Sequence, residues 1–345
     1  MRPGAVAEPA HDLAAYDFEY PESAVADRPA EPRDAARLLV LDRASGAVRH
    51  AVFRDLPGFL RAGDCLVLNR TKVIPSRLVG RKETGGRAEV LLVKELGPRR
   101  WSALARGLKP GGRLEFADGA RALVEGLSPD GEWLLAFETD PRALMEEHGL
   151  APLPPYIAKR GGRDGVPDRE RYQTVYAREA GSIAAPTAGF HFTPEVLAAV
   201  RTAGVRVAEI ILHVGPGTFR PVTAADVRAH AMLPERYEIP EVARAELDAV
   251  RGRGGRLIPV GTTATRTVET YFAGGAAAGE TSLYVYPGYS FKAVDALLTN
   301  FHLPQSTPLL LACAFAGRER ILAAYAEAIR AGYRLFSYGD SMLIV

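Results

Sequence analysis

Between residues 74 and 151 the sequence is a series of short segments in which apolar and polar residues alternate. The segments are RLVGRK, RAEVLLVKEL, RWSALAR, GRLEFAD, ARALVEGL and EWLLAFE, and the turns between them contain Gly-Gly, Gly-Pro, Pro-Gly, Asp-Gly or Pro-Asp-Gly. Alternation with a period of two buries one face of a strand, and a turn roughly every ten residues joins neighbouring strands in antiparallel order. This pattern predicts a small antiparallel β-barrel.

The sequence on either side of this stretch has a different pattern. ARLLVLDRASGAVRHAVF, residues 36–53, predicts a hairpin, and GDCLVLN predicts a buried strand. From Leu153 onward helices alternate with apolar strands; one helix is predicted to begin after Thr193 as N-cap and to end at Gly204. The expected fold class is therefore α/β, with a parallel-sheet or barrel-like α/β domain interrupted by an inserted small antiparallel β-barrel domain. The expected boundaries are 1–73 with 152–345 for the α/β domain and 74–151 for the barrel.

The charge distribution is uneven although the formal net charge is only +2. From Arg70 to Arg113 there are 12 Lys or Arg residues and three Glu, whereas from Leu114 to Leu150 there are nine acidic residues and two Arg. A basic block beside an acidic one indicates a polarised surface, and the basic part can contact the phosphates of a nucleic acid. A solvated charged face without a partner is an equally good explanation of the charges alone.

Composition limits the compartment and the chemistry. The only cysteines, Cys65 and Cys313, lie in apolar runs, so the sequence offers neither a disulfide framework nor a CxxC metal site. No apolar run approaches the ~18 residues of a membrane-spanning helix, and the first ten residues lack the layout of a secretory signal. We therefore expect a cytoplasmic protein with no membrane association.

Polar and glycine-rich segments come after several of the predicted strands. In open α/β sheets ligands bind outside the carboxyl ends of the strands, so these segments are candidate binding loops. Glycines let backbone amides approach a ligand, and a helix N-terminus suits a carboxylate or ribose hydroxyls, although turn formation and helix capping are common alternative roles. The candidates are Gly215, Gly217 and Thr218 in GPGTFRPV, Thr262, Thr263, Arg266 and Glu269 in GTTATRTVE, Thr187 and Gly189 in APTAGFHF, and Asn300 in TNFHLPQST.

Three of the seven histidines also lie at these junctions: His191, His213 and His302. One histidine at a strand end is more often structural, but three at converging ends favour acid–base or hydrogen-bonding chemistry. No HxH, HxxxH or Cys-His spacing indicates a metal site, and no GxxxxGK[ST] segment indicates a nucleoside triphosphate site. Asp340, in SYGD, is either a carboxylate partner for a histidine or a turn cap.

Eight motifs taken in order resemble those of the S-adenosylmethionine:tRNA ribosyltransferase-isomerase family. They are GDCLVLNRTKVIPSRLVGRK, LPPYI, YQTVYA, APTAGFHF, ILHVGPGTFRPV, PVGTTATRTVE, YPGYSFKAVDALLTNFHLPQSTPLLL and YRLFSYGDSMLI. Each motif is weak alone, but eight in register are highly specific, and the likeness runs from about Tyr16 to Val345.

The resemblance implies an α/β domain interrupted by a β-barrel, and it implies the reaction. S-adenosylmethionine acts as a ribosyl donor, and the acceptor is the aminomethyl group of a 7-deazaguanine at the wobble position, in the anticodon stem-loop of tRNA. The product is epoxyqueuosine, with release of adenine and methionine. No metal and no cofactor beyond S-adenosylmethionine as co-substrate are implied, and we expect a monomer.

The resemblance also gives the candidate residues their roles. Proton transfer is expected from His191, His213, His302 and Asp340, with no assignment of the base. S-adenosylmethionine binding is expected from Thr187, Gly189, Gly215, Gly217, Thr218, Thr262, Thr263, Arg266, Glu269 and Asn300. Contacts to tRNA phosphates are expected from Lys72, Arg77, Arg81, Lys82, Arg106 and Lys109.

Two positions depart from the family pattern, and the stretch around LARGLKPGG is a little shorter than is typical of the family and lacks one Lys. Arg70 stands where a small polar residue is usual, and Leu233 stands where a second histidine is usual. If these positions contact the acceptor, the chain is a divergent member that transfers ribosyl to a different amine, including a small molecule. A non-catalytic RNA-binding relative is the remaining alternative, although a binding protein has no need of the histidine and threonine loops.

Overall fold

The computed structural model describes residues 10–154, 156–157, 166–219 and 222–345, without the side chains of residues 166–168, 218 and 219. These residues form two compact units. The first comprises the residues up to Thr71, Thr174–Glu179 and Pro186–Val345, and the second comprises Lys72–Gln173 and Ala180–Ala185. The domain boundaries expected from the sequence are 1–73 with 152–345 for the α/β domain and 74–151 for the barrel. They stay a prediction about which segments fold independently.

The described residues contain strands, α-helices and short 3-10 helices. The strands are β1 (Arg37–Leu41), β2 (Val48–Val52), β3 (Cys65–Asn69), β4 (Thr71–Val73), β5 (Arg77–Lys82), β6 (Arg87–Gly97), β7 (Arg100–Ala105), β8 (Arg113–Glu115), β9 (Arg121–Leu127), β10 (Trp133–Phe137), β11 (Glu179–Ser182), β12 (Arg206–Leu212), β13 (Glu235–Glu238), β14 (Leu257–Pro259), β15 (Ala278–Thr281), β16 (Leu297–Asn300) and β17 (Ser341–Ile344). The α-helices are α1 (Pro141–His148), α2 (Val166–Arg171), α3 (Pro194–Thr202), α4 (Glu241–Gly252), α5 (Thr262–Phe272), α6 (Thr307–Ala316) and α7 (Arg318–Arg330).

The first unit contains two sheets. One has the strand order β16-β17-β1-β2 and the other has the order β14-β3-β12-β13-β15. An isolated parallel bridge between Val260 and Leu298 joins their edges, and residues of both sheets share a core that includes Leu38, Leu66 and Leu298. The pairs β1–β17, β3–β12 and β3–β14 are parallel and the others are antiparallel, so the sheets are mixed rather than largely parallel.

Local signals of the sequence are found where they were expected. β1 and β2 form the predicted hairpin, and Asp42 Oδ1 accepts hydrogen bonds from Ala44 N at 3.0 Å and Ser45 N at 2.8 Å in its turn. Thr193 Oγ1 caps α3 by accepting from Val196 N at 3.3 Å. A side chain that satisfies a first-turn amide stabilises a helix by about 1 kcal/mol.

The second unit is built around a closed barrel with the strand order β10-β7-β6-β5-β8-β9, in which every pair is antiparallel. Alternate residues such as Leu78, Val90 and Val124 fill its interior. Gly80 lets β8 cross β5 closely, because a Cβ there would lie 2.5 Å from the carbonyl oxygen of Glu115. The expected fold class, α/β with an antiparallel β-barrel, is confirmed.

The C-terminal segment differs from its expectation. YRLFSYGDSMLI predicts a pair of strands or a strand, loop and strand, but it contains the single strand β17 and one isolated bridge from Leu335 to Val25. β17 lies between β16 and β1 and pairs with both. No helix among the described residues is long and apolar enough to cross a membrane.

Candidate active site

The parallel strands β3, β12 and β14 of the first unit end side by side. Asn69, the last residue of β3, joins the end of β12 to the segment that follows β14. Its Nδ2 donates to Leu212 O at 3.0 Å and to Thr263 Oγ1 at 3.4 Å, and its Oδ1 accepts from Leu212 N at 3.0 Å. Asn69 is fully buried. It therefore fixes the end of β12 relative to the start of α5. Asn69 was not among the expected residues, and its signal in the sequence is a polar residue that closes the apolar strand CLVLN.

Thr262 and Thr263 lie at the N-terminus of α5, as expected from the sequence. The preceding Gly261 has φ of 88°, which L side chains rarely adopt, and its would-be Cβ lies 3.4 Å from Ala188. A cavity of about 20 Å³ adjoins both threonines and the start of α6. It has room for about one water, so it can receive the end of a polar group but not a nucleoside.

Arg266 forms a buried ion pair with Glu235, and both side chains are at most 7% exposed. Arg266 Nε also donates to Leu283 O at 2.7 Å, and Glu235 Oε1 accepts from Gly215 N at 2.9 Å. The pair thus ties α5 to the loop that contains Gly215 and Gly217. Direct contact of Arg266 with a substrate stays a prediction. Glu235 was not singled out, because one glutamate at the start of a strand carries no local signal.

Glu269 is fully buried and its carboxylate is surrounded by donors from one loop. Oε1 accepts from Ala293 N and Val294 N, both at 3.0 Å, and Oε2 accepts from Lys292 N at 2.7 Å and from Tyr289 Oη at 3.0 Å. Four donors occupy the acceptor capacity of one carboxylate. Glu269 holds residues 289–294 in place, and its expected contact with S-adenosylmethionine stays a prediction.

His191 and Asn300 are brought together in the interior of the first unit. His191 ends the 3-10 helix Thr187–His191, and Asn300 ends β16. Asn300 Nδ2 donates to Phe336 O at 2.9 Å, whereas neither Asn300 Oδ1 nor His191 Nε2 has a hydrogen-bond partner among the described residues. Burial lowers the pKa of His191 to about 4, opposed by the nearby Asn300. His191 is therefore a neutral imidazole at pH 7, and its ring lies beside the Asn300 amide.

The buried neutral histidine makes stability depend on pH. Because the pKa of His191 falls from 6.5 in the unfolded chain to about 4 in the fold, the unfolded state binds the proton more tightly. Stability is complete above pH 6.5 and falls as the pH drops toward 4; at pH 5 the His191 contribution is a loss of about 2 kcal/mol in the free energy of unfolding. Urea denaturation at pH 7.5 and pH 5 should show that His191→Asn removes this loss, while His50→Asn, at an exposed position, retains it. The same pH dependence in the His191 variant and the wild type would contradict the assignment.

Gly189 packs against two side chains from the segment before it. A Cβ at Gly189 would lie 1.9 Å from Tyr176 Oη and 2.8 Å from Thr174 Cγ2. Tyr176 and Thr174 are buried, and their hydroxyls have no partner among the described residues. The close approach explains a glycine at position 189, and it places two free hydroxyls beside the loop that carries His191.

This packing can be tested by a double-mutant cycle. Gly189→Ala should lower the free energy of unfolding by about 1–3 kcal/mol, because the methyl group overlaps Tyr176 Oη. Tyr176→Phe removes that oxygen, so it should restore part of the loss in the Gly189→Ala background. Alone, Tyr176→Phe removes a buried hydroxyl without a partner and should not destabilise the fold. Additive effects of the two changes in urea denaturation would contradict the contact.

His213 comes directly after β12 and is only partly buried. Its Nδ1 lies 3.4 Å from Thr71 Oγ1, a long contact for a hydrogen bond. Burial and Arg236 lower its pKa, while Glu179 and Glu238 oppose the shift. His213 is therefore neutral at pH 7 and accessible, and it precedes the Gly215–Gly217 loop directly.

His302 and Asp340 are engaged in the fold itself. His302 Nε2 lies 2.8 Å from Thr299 Oγ1, and burial lowers the pKa of His302. The carboxylate of Asp340 accepts from Arg37 N at 2.9 Å and from Arg334 N at 2.7 Å, which joins the last loop to the start of β1. The proton-transfer role expected of His302 and Asp340 stays a prediction.

The structure shows which residues surround Arg70 and Leu233, the two positions that depart from the family pattern. Arg70 forms ion pairs with Glu179 at 3.1 Å and Glu209 at 3.9 Å. The side chain of Leu233 is 3.5 Å from a would-be Cβ of Gly217. Leu233 therefore lies against the candidate binding loop, and Arg70 is held by acidic neighbours.

The remaining candidates lie in the second unit or outside the described side chains. The six expected phosphate-binding residues Lys72, Arg77, Arg81, Lys82, Arg106 and Lys109 all belong to the second unit. Arg77 pairs with Glu89 at 3.1 Å. The side chain of Thr218 lies outside the described part of the chain.

One group of side chains in the described part of the chain has the residue types of a metal site. Ligand atoms of Asp118, Glu147 and His148, all exposed and in the second unit, lie within 4.8 Å of one another. No further observation points to a metal there, so the group is an exposed ion-pair cluster.

The described residues thus form one unit in which polar side chains lie at the ends of parallel strands, and a second unit built around an antiparallel β-barrel. The family described as queuosine biosynthesis protein matches residues 13–344. A relative from Anaeromyxobacter sp. (strain Fw109-5), named S-adenosylmethionine:tRNA ribosyltransferase-isomerase, is 50% identical over 96% of this chain and 98% of its own. A relative of the same name from Moorella thermoacetica is 48% identical over 96% of this chain and 98% of its own. The crystal structure of S-adenosylmethionine tRNA ribosyltransferase from Thermotoga maritima aligns with a TM-score of 0.55 and 36% identity, covering 96% of this chain and 100% of that one.

This chain belongs to the queuosine biosynthesis protein family. The resemblance found in the eight motifs is thereby confirmed. The relatives are enzymes by name, and their names include S-adenosylmethionine and tRNA.

Proposed function

We propose that this chain is an enzyme that transfers and isomerises the ribosyl moiety of S-adenosylmethionine onto the aminomethyl-7-deazaguanine of tRNA, giving epoxyqueuosine and releasing adenine and methionine. The observation that carries the proposal is the likeness to enzymes of that name at about half identity over nearly the whole chain. No comparison supports a different amine acceptor or a non-catalytic role.

The chemistry needs a base, and His213 has the properties of one. The sulfonium acidifies the C5′ hydrogens of the ribose, so removal of one proton gives an ylide whose collapse expels adenine. The acceptor amine then attacks the ribosyl carbons, and epoxide closure expels methionine. His213 is neutral, partly exposed and weakly bonded, so its ring can accept the C5′ proton. We assign it the role of base.

The other candidates suit binding and positioning. The N-terminal amides of α5 at Thr262 and Thr263 suit the methionine carboxylate. The neighbouring buried side chains of His191 and Asn300 suit the polar edge of adenine, where hydrogen bonds would assist its departure. Arg266, Glu269 and Asp340 bind protein groups with their charged atoms, so we propose that they position the loops around the donor.

The proposal extends to the RNA contact, the compartment and the assembly. The wobble base lies in the anticodon stem-loop, which is therefore the expected part of tRNA in contact with the chain. A tRNA substrate supports a cytoplasmic location. We further propose a monomer that uses no metal and no cofactor other than S-adenosylmethionine as co-substrate.

The test is release of adenine and methionine from S-adenosylmethionine by purified protein. Release is expected with tRNA that carries the aminomethyl-deazaguanine and not with unmodified tRNA of the same sequence. Release that persists without tRNA would indicate another acceptor. S-adenosylhomocysteine as the product would indicate methyl transfer and overturn the proposal.

A further inference from the structure

A row of charged side chains crosses four neighbouring strands on the outside of the barrel. Arg87 on β6 is the register partner of Arg81 on β5, Arg81 is the partner of Glu115 on β8, and Glu115 is the partner of Arg121 on β9. All four residues are exposed. Strands lie about 4.8 Å apart, so this row spans about 14 Å. We call it the arginine row.

The arginine row borders a broad open cavity of about 1030 Å³ that also includes Lys82 and Arg113. Five basic residues and two glutamates line this cavity, which gives a net charge of +3. The exposed side chain of Val79 lies among them. The cavity is thus a concave surface on which positive charge predominates.

These charges are poorly compensated within the protein. Arg81 and Arg113 have no ion pair among the described residues, and the contacts of Arg121 with Glu115 at 3.4 Å and of Arg87 with Glu89 at 3.6 Å are exposed. Exposed ion pairs contribute about 0–1 kcal/mol.

Other arginines of the same unit are closely paired. Arg100 lies 2.7 Å from Glu125, and Arg142 lies 2.5 Å from Glu95. Arg81 and Arg113 form no such pair among the described residues, although Glu115 is the register partner of Arg81.

Arg81 and Arg87 face each other as register partners, and like charges in that position destabilise a sheet. A bound anion removes this repulsion, and a row about 14 Å long is longer than a single phosphate. Arginine binds phosphate oxygens in a bidentate manner and without regard to base sequence. We propose that the arginine row, with Arg113 and Lys82, binds the sugar–phosphate backbone of the tRNA over several nucleotides. This inference rests on the proposed function for the identity of the RNA.

The test compares two double variants of the same barrel. Arg81→Gln/Arg113→Gln removes two charges from the proposed surface, and Arg100→Gln/Arg142→Gln removes the same charge elsewhere. For the first variant, the KM for tRNA in adenine release should rise about tenfold, and the slope of log KM against log salt concentration should decrease by about two. The control should keep the wild-type KM and slope. Thermal unfolding of both variants checks that the barrel remains folded.

Each outcome decides one question. A wild-type KM and salt slope in the Arg81/Arg113 variant, or an equal change in the control, would overturn the proposal that this surface binds tRNA. If the wild type releases no adenine with modified tRNA, the proposed function fails instead. Direct binding of fluorescent tRNA to the same two variants then tests the surface independently: a selective loss for Arg81/Arg113 supports it, and equal binding overturns it.

Discussion

Replacing His213 by Gln is expected to slow adenine release about 10²- to 10⁴-fold, the usual contribution of a general base. The fold should be preserved, because the hydrogen-bond contact of the ring among the described residues is the long one to Thr71 Oγ1 at 3.4 Å. The pH profile gives a second readout. A base must be deprotonated, and the pKa of His213 lies below 6.5, so kcat/KM should rise through an acid limb below pH 6.5 and then level off.

The matched control for this substitution is His50→Gln. His50 lies on β2 of the same unit, and its side chain is 44% exposed. It should keep the wild-type rate and the wild-type acid limb. A His213→Gln rate within about threefold of wild type, where general-base loss predicts at least a hundredfold, would remove His213 from the role of base. His191 would then be the next to test.

Replacing Glu235 by Gln is expected to lower the free energy of unfolding by about 3–5 kcal/mol. The variant leaves the buried guanidinium of Arg266 without its counter-charge. Urea denaturation at pH 7 measures the loss. Glu238→Gln is the matched control, since Glu238 lies exposed on the same strand and should change stability by less than about 0.5 kcal/mol.

The double variant Glu235→Gln/Arg266→Met separates the unpaired charge from loss of packing. It removes the orphaned cation, so it should be more stable than Glu235→Gln alone, although Leu283 O and Thr281 O lose donors. A double variant that is as unstable as the single one would show that the buried charge is not the source of the loss. The comparison is informative because the two residues are in contact and their effects cannot be additive.

The sequence predicts the features that depend on neighbouring residues. The hairpin of β1 and β2, the Thr193 cap and the antiparallel strands of the barrel all arise from local turn and cap chemistry. The pairing of β1 with β17 carries no such signal, because Arg37 and Asp340 are 303 positions apart. The same reason explains why the C-terminal segment, expected to form a strand pair or a strand, loop and strand, contains the single strand β17. That strand pairs with β16 and β1.

The location of the candidate site could be predicted better than the roles of its residues. His213, Thr262 and Thr263 lie at strand ends, because that edge is fixed by the α/β architecture. Glu269 is of a residue type that commonly binds ligands. Its oxygens instead accept hydrogen bonds from backbone amides of a loop that is distant in sequence and is brought close by the fold. The arginine row depends on the registers of four strands, which residue spacing does not determine.

The central position of β17 has a consequence for the timing of synthesis. β1 is made 303 residues before the loop that anchors it through Asp340, a delay of about 15–60 s at elongation rates of about 5–20 residues per second. During that time the hairpin of β1 and β2 has an unpaired edge, the kind of surface that invites aggregation. The barrel strands β5 to β10 are contiguous in sequence and need no such wait. A nascent chain stalled before residue 341 should therefore hold a protease-resistant barrel and a first unit that still depends on chaperones.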